Sequence, residues 1–225
     1  MRDPRKRSEI VNAFIRASCA LFAALTLAPA WAAGLEESIN RLQAEWAQIK
    51  YRQPADRQEK AFEALSKEAA AVRAENPERA EADIWYAIIV ASEAGAKGGL
   101  GALSLVKDAR AALEQALARN PDALQGSAYT SLGSLYYQVP GWPISFGDKD
   151  KARELLNKAL AINPNGIDSN FFMGDFLYRT GEYEKARVAL EAALQAPARP
   201  ARQLADEGRR KEIEVLLAKV KEKLR

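Results

Sequence analysis

One spacing of alanine and leucine recurs three times along the chain and predicts helices. In each copy alanine, leucine, alanine and leucine follow at positions i, i+4, i+7 and i+8, and a proline comes within the next few residues. These positions form one stripe of an α-helix, and proline cannot continue the helix, so each copy predicts a helix with its own stop signal. The copies begin at Ala109, Ala152 and Ala186. Because such a helix cannot bury its stripe alone, the repetition predicts units stacked around a shared core.

The apolar spacing and the Gly and Pro breakers together predict an all-α chain made of helix pairs. No run of alternating apolar and polar residues predicts a strand. The expected helices are 35–50 and 56–75, 80–94 and 104–119, 123–138 and 148–162, 168–180 and 182–195, and a final helix 205–223.

The unit from Ile167 to Pro200 resembles the tetratricopeptide repeat (TPR), a helix-turn-helix of about 34 residues. Positions of that pattern are matched, in order, by Gly174, Gly181, Tyr183, Ala186, Leu190 and Ala193. The resemblance extends over residues 82–200, and over 35–77 by periodicity only. It implies an α-solenoid of TPR-like repeats with a C-terminal capping helix, and binding rather than catalysis.

The sequence is expected to divide into four parts. They are a secretory signal peptide (1–32), a degenerate N-terminal helix pair (33–79), three TPR-like repeats (80–200) and a capping helix (201–225). Two of the repeats carry insertions between their helices, at 95–101 and 140–147. With these inserted loops and an N-terminal signal peptide, the chain resembles periplasmic TPR proteins associated with TRAP-type transporters. The resemblance implies a solute-binding partner protein.

The N-terminal segment is typical of a secretory signal peptide. A basic start precedes an apolar run at 17–29, which is too short to span a bilayer, and a small-residue site ends at Ala32. We expect cleavage after Ala32, a periplasmic location and no membrane insertion of the mature chain. The alternative is an uncleaved anchor. Lipidation of Cys19 does not fit, because Arg16 lies three residues before it.

The net charge changes once this segment is set aside. Residues 1–32 hold five of the 33 Lys and Arg residues and two of the 30 Asp and Glu residues, which leaves 28 of each. A neutral chain gives no argument for nucleic acid or an anionic membrane as a partner.

The composition also removes most catalytic chemistry. The chain has no histidine, and its one cysteine lies in the segment expected to be lost. Histidine-based acid–base catalysis, thiolate chemistry and zinc–thiolate sites are therefore excluded. Carboxylates fit surface ion pairs, such as Glu182 with Lys185 and Glu154 with Lys158. Asp148 fits a helix N-cap better than a calcium ligand. We expect no metal, no cofactor and no enzyme.

The first helix of each TPR pair lines the concave face in this family, which implies a groove for a partner. With acid at both ends, that groove suits a peptide segment or a compact, partly apolar ligand better than a terminal carboxylate. Trp142 and Phe146 are expected to flank this groove, or else to pack across the third and fourth units. For Tyr86 and Phe171 the alternative is that their side chains are buried within the repeat. The predicted partner-binding residues are Tyr86, Glu93, Thr130, Ser134, Tyr137, Gln138, Asp168, Phe171, Asp175, Tyr178 and Arg179.

Three functional hypotheses follow. The first is an exported, non-catalytic TPR adaptor that binds a protein or peptide in its groove. The second is a small-molecule-binding or partner component of a periplasmic transport system, with the two inserted loops closing over a pocket. The third is an enzyme that uses carboxylates alone.

Overall fold

Nine α-helices follow one another through the described part of the chain, which in this computed structural model comprises the backbone of residues 30–225 and the side chains from residue 34 onward. No strand occurs in that range, and the all-α prediction is confirmed. The helices are α1 (Ala30–Arg52), α2 (Ala55–Glu75), α3 (Ala80–Lys97), α4 (Ala102–Arg119), α5 (Ser127–Gln138), α6 (Lys149–Ile162), α7 (Ile167–Arg179), α8 (Tyr183–Leu194) and α9 (Gln203–Lys223), with a 3₁₀ turn at Pro200–Arg202 before α9.

The contacts within the chain divide it between Gly34 and Leu35, and the unit from Leu35 to Arg225 is the one described below. The body of the predicted signal peptide and Cys19 lie outside the described residues. None of the described helices is both long and apolar enough to cross a bilayer.

Three helices end where the sequence places Asn-Pro. The helices α2, α4 and α6 stop directly before Asn76, Asn120 and Asn163. A proline disfavours the helical conformation of the residue that precedes it. Each asparagine accordingly leaves the helix, with φ of −131°, −153° and −130°. The predicted stop signals are therefore confirmed.

Two predicted boundaries were wrong by several residues. The helix expected from Ala123 begins at Ser127, because Leu124, Gln125 and Gly126 all have positive φ (49°, 56° and 73°) and form a turn that no helix can include. The insertion 95–101 is also shorter as a loop than expected. The helix α3 continues to Lys97 and α4 starts at Ala102, so part of the insertion lengthens the first of these helices.

Polar side chains fix the start of α6 and form the expected ion pairs on the protein surface. The Asp148 carboxylate accepts bonds from the backbone N–H groups of Asp150 (2.9 Å) and Lys151 (3.0 Å), which confirms the predicted N-cap. The predicted surface pairs also form. Glu154 lies 2.7 Å from Lys158, and Glu182 lies 2.8 Å from Lys185.

Each recurring stripe is buried against the first helix of its own pair. A glycine allows the two helices of a pair to approach closely: a β-carbon at Gly133 would lie 2.9 Å from Leu156 Cγ, and one at Gly174 would lie 2.6 Å from Leu190 Cγ. The stripe residues with no exposed surface are Ala109, Leu113, Ala116, Ala152, Leu156, Ala159, Ala186, Leu190 and Ala193.

The odd-numbered helices form a closed series, which we call the inner ring. The pairs α3–α5, α5–α7 and α7–α9 are in contact, and α2 to α8 also pack against their neighbours in sequence. The Trp46 indole N–H on α1 donates to Ser92 Oγ on α3 at 2.8 Å. The ring closes where α9 meets α1. There the Tyr51 hydroxyl donates to Glu212 at 3.4 Å, and Lys50 lies 3.9 Å from the same carboxylate.

A glycine on α9 makes this last contact possible. A β-carbon at Gly208 would lie 2.4 Å from Tyr51 Cγ and Cδ1, so the aromatic ring occupies the place that any other side chain would need. The first and last helices therefore touch directly.

The close approach of helices within a pair gives a stability prediction. Gly174→Ala places a methyl group 2.6 Å from Leu190 Cγ, and Leu190 is fully buried. We expect a loss of about 1–3 kcal/mol in the free energy of unfolding, measured by denaturant titration. Gly95→Ala is the control, because nothing lies within 4 Å of its β-carbon position. In a helix that change should be neutral or stabilising by up to about 1 kcal/mol. Equal effects of the two substitutions would contradict this packing.

Candidate functional site

An open cavity of about 1190 Å³ lies within the inner ring, and each of the five helices contributes to its wall. Pockets for small ligands usually measure about 300–1000 Å³. The cavity therefore has room for a chain segment as well as for a small molecule.

Aromatic and hydroxyl groups both line the cavity wall. Helix α5 supplies Ser127, Thr130, Ser131 and Ser134, four hydroxyl groups along one helix. Large aromatic side chains come from α1, α2, α3 and α7. They are Trp46, Phe62, Trp85, Phe171 and Phe172. Such a wall offers both apolar contact area and hydrogen-bonding groups to a bound segment.

Seven of the predicted groove residues line the cavity: Thr130, Ser134, Gln138, Asp168, Phe171, Asp175 and Arg179. The other four, Tyr86, Glu93, Tyr137 and Tyr178, lie outside its lining. Trp142 and Phe146 do as well.

Three of the outlying residues are packed against other parts of the protein or buried within it. Arg73 stacks over the Tyr86 ring at 4.8 Å, and the Tyr178 ring packs 5.8 Å from that of Tyr183. Glu93 is 7% exposed. Tyr86 and Tyr178 thus pack against neighbouring helices and Glu93 is buried, so the expected position of these three side chains on the groove wall is corrected.

Tyr137 contacts a residue of the cavity wall without lining the cavity itself. Its hydroxyl donates to Asp175 Oδ2 at 2.8 Å, and Arg179 lies 3.0 Å from the same oxygen. Burial, followed by the charge of Asp175, raises the pKa of Tyr137 well above its ordinary value. The phenol therefore stays protonated as a donor, and the Asp175 charge is already balanced by Arg179.

The 140–147 loop lies away from the cavity. Phe146 packs edge-on against Tyr136 at 5.3 Å, and Arg110 lies 4.9 Å from the Phe146 ring. Phe146 thus joins α4 and α5 rather than the third and fourth units, which corrects the expected packing. Trp142 is 90% exposed. Neither aromatic residue flanks the cavity, since no described residue of this loop lines it.

The wall is basic, not acidic as the sequence led us to expect. Seven Lys and Arg residues line the cavity in the described chain, against three Asp and Glu residues. Five of the seven come from the segment after Pro197, which the sequence analysis treated only as a cap: Arg199, Arg202, Arg209, Lys211 and Lys219. The order of the helices could have predicted this contribution. The final helix is the fifth of the odd-numbered series, and the odd-numbered helices form the inner ring.

Asp168 lies at the centre of an ionic cluster that joins α7 to this C-terminal segment. Arg199 Nη1 donates to its carboxylate at 2.8 Å, and Arg209 Nε donates to it at 3.0 Å. Arg209 also reaches Glu212 at 2.6 Å, and its guanidinium lies 4.3 Å from the Phe171 ring centre. The predicted partner-binding groups Asp168 and Phe171 therefore both contact the chain's own Arg209.

The neighbouring arginines lower the pKa of Asp168. Burial would raise the pKa of Asp168, but the positive charges of Arg209, Arg199 and Arg202 outweigh burial and hold that pKa well below its ordinary value. The folded protein therefore keeps a carboxylate there under acidic conditions that would protonate it in the unfolded chain.

This cluster predicts a pH dependence of stability. Because the folded pKa is depressed, Asp168 stabilises the fold above its ordinary pKa of about 4, and that contribution is lost as the pH falls below this value. Asp168→Asn should lower the free energy of unfolding at pH 7 by about 1–3 kcal/mol, since it leaves Arg209 without one of its two carboxylates.

The measurement is denaturant unfolding between neutral and acidic pH. The Asn variant should lose less stability on acidification than the unchanged protein. Asp122→Asn, on an exposed turn, serves as the control and should keep the original pH slope. Parallel slopes for the Asp168 variant and the unchanged protein would contradict the role of this carboxylate.

Comparisons with known proteins agree with this architecture. Residues 144–207 match the family model described as tetratricopeptide repeat. The crystal structure of a thermophilic TPR protein from Thermus thermophilus is similar at 23% identity and a TM-score of 0.54, over 84% of this chain and 91% of that chain.

Two other solved structures are less similar. MamA aligns at 20% identity and a TM-score of 0.43, over 77% of this chain and 95% of its own. PilF of Pseudomonas aeruginosa aligns at 17% identity and a TM-score of 0.34, over 83% of this chain and 90% of its own. No curated protein matches the sequence. The chain is thus an all-α helical-repeat solenoid that carries tetratricopeptide repeat sequence at residues 144–207.

Proposed function

We propose that this protein is an exported, non-catalytic scaffold that binds a segment of a protein partner in the cavity of its inner ring. The observation that carries the proposal is the cavity of about 1190 Å³ with aromatic and hydroxyl groups on its wall. Aromatic rings provide large contact area at small entropic cost, and hydroxyl groups adapt to backbone donors and acceptors. A peptide segment presents both kinds of surface.

The chemistry of the wall favours binding over catalysis. The chain has no histidine, and the described residues contain no cluster of three or more potential metal-binding side chains. The three carboxylates that line the cavity, Asp168, Asp175 and Glu212, are each engaged by an arginine. Each of the three carboxylates is therefore already bound to a cation of the protein itself.

Export and the periplasmic location rest on the N-terminal sequence alone. The basic start, the apolar run and the small-residue site of residues 1–32 support them. The link to a TRAP-type transporter rests only on the family resemblance and stays a prediction.

The second hypothesis, a small-molecule component of a transport system, relied on two loops that close over a pocket. The insertion 140–147 does not contribute to the cavity wall, and the insertion 95–101 contributes only Gly95 and Ala96, which belong to α3. The hypothesis therefore takes second place. Native mass spectrometry of the purified protein separates the two, because a co-purifying small ligand favours the second hypothesis.

A cavity-filling substitution tests the proposal. Ser131 lines the cavity and is partly exposed, so Ser131→Trp should fill part of the space and block partner capture without disturbing the core. Capture is measured in cells by photocrosslinking from an amino acid introduced at Ser134, which lines the same wall. We expect a discrete protein adduct that Ser131→Trp removes.

The matched control uses Val188, which is 59% exposed and outside the lining. Val188→Trp should leave the Ser134 adduct intact, and a crosslinker at Val188 should not form the same adduct. Identical adducts from Ser134 and Val188, or an adduct that survives Ser131→Trp, would reject the cavity as the binding site.

A further inference from the structure

The charges on the cavity wall are unevenly balanced. Among the described residues, four of the seven cations in the wall have a carboxylate within 4.0 Å, and these pairs engage all three acidic groups of the wall. The cations with such a partner are Lys50, Arg179, Arg199 and Arg209.

Three cations of the wall have no ion-pair partner in the part of the chain that the structure describes: Arg202, Lys211 and Lys219. All three belong to the C-terminal segment. Lys211 and Lys219 lie eight residues apart on α9, so they share one helix face. Val215 lines the cavity between them and is 58% exposed.

Arg202 is the least solvated of the three. Its guanidinium lies 5.1 Å from the centre of the Trp85 ring, and its buried Nε has no hydrogen-bond partner among the described residues. Burial lowers the pKa of Arg202, although the charge of Asp168 acts in the opposite direction. A partly buried cation without a direct partner is costly unless an anion approaches it.

We propose that the cavity selects an acidic segment of the partner protein, whose side-chain carboxylates pair with Arg202, Lys211 and Lys219. This inference rests on the proposed function and specifies the chemistry of the partner. The carboxylate groups contact the three cations, and apolar side chains between them contact Val215 and the aromatic wall. A chain terminus is not required, because Lys211 and Lys219 are separated along α9 and Arg202 lies in the turn before that helix.

Peptide binding to the full-length protein tests this inference. The probes are three pools of short peptides with blocked ends, in which the same alternate positions are fixed as glutamate, glutamine or lysine and the others are random neutral residues. Blocking the ends removes any contribution of a terminal carboxylate. We expect the glutamate pool to bind about tenfold or more tightly than the glutamine pool, with an affinity that falls as salt is added.

The triple variant Arg202→Gln, Lys211→Gln, Lys219→Gln should reduce binding of the glutamate pool to the level of the glutamine pool. The control variant Lys107→Gln, Lys149→Gln, Lys221→Gln removes the same charge from exposed lysines outside the cavity lining. It should leave binding of the glutamate pool within about twofold. Denaturant unfolding of both variants checks that the fold is retained.

The outcomes separate this inference from the function on which it rests. Equal binding of the glutamate and glutamine pools, unaffected by the cavity variant, would overturn the acidic partner and leave peptide binding in place. Equal losses in the two triple variants would assign the attraction to overall charge and overturn the inference. Binding of no pool would also overturn it, while the Ser134 crosslinking experiment decides the proposed function independently.

Discussion

The contact between the first and the last helix is the constraint on which the rest of the structure depends. An array of helix pairs can continue as an open superhelix, but here Tyr51 of α1 rests on Gly208 of α9, with Glu212 bound to Tyr51 and Lys50. Five helices thereby enclose a space that four would leave open. The cavity, its volume and its charge all follow from this contact, since α9 contributes to the closing wall.

The closing helix also determines the electrostatics of the cavity. Arg209 of α9 lies between Asp168 and Glu212 and over the Phe171 ring, so one side chain connects α9 to α7 and balances the charges of Asp168 on α7 and Glu212 on α9. Because those charges are balanced, the remaining cations of the C-terminal segment give the cavity wall a net positive charge. The same helix thus stabilises the ring and specifies the ligand that we propose for it.

The sequence predicted the fold well and the site only in part, for identifiable reasons. Local signals, such as the Ala109 stripe and the Asn163 stop, depend on neighbours along the helix and were sufficient for the helices. The site depends on contacts between distant segments. Nothing local indicates that Arg209 meets Asp168, 41 residues away. The positive φ of Leu124 was equally hidden, because leucine carries no signal for that conformation.

A disulfide between α1 and α9 tests the closure of the ring most directly. Tyr51 Cγ lies 2.4 Å from the β-carbon position of Gly208, so cysteines at 51 and 208 would place their β-carbons near the disulfide distance of about 3.5–4.5 Å. In a full-length Cys19→Ser background, Tyr51→Cys with Gly208→Cys should form an intramolecular disulfide on mild oxidation, measured as loss of free thiols in the monomer. Tyr51→Cys with Glu214→Cys, at an exposed position of α9, should keep its thiols. Free thiols in the first pair, or equal oxidation of both pairs, would contradict the closed ring.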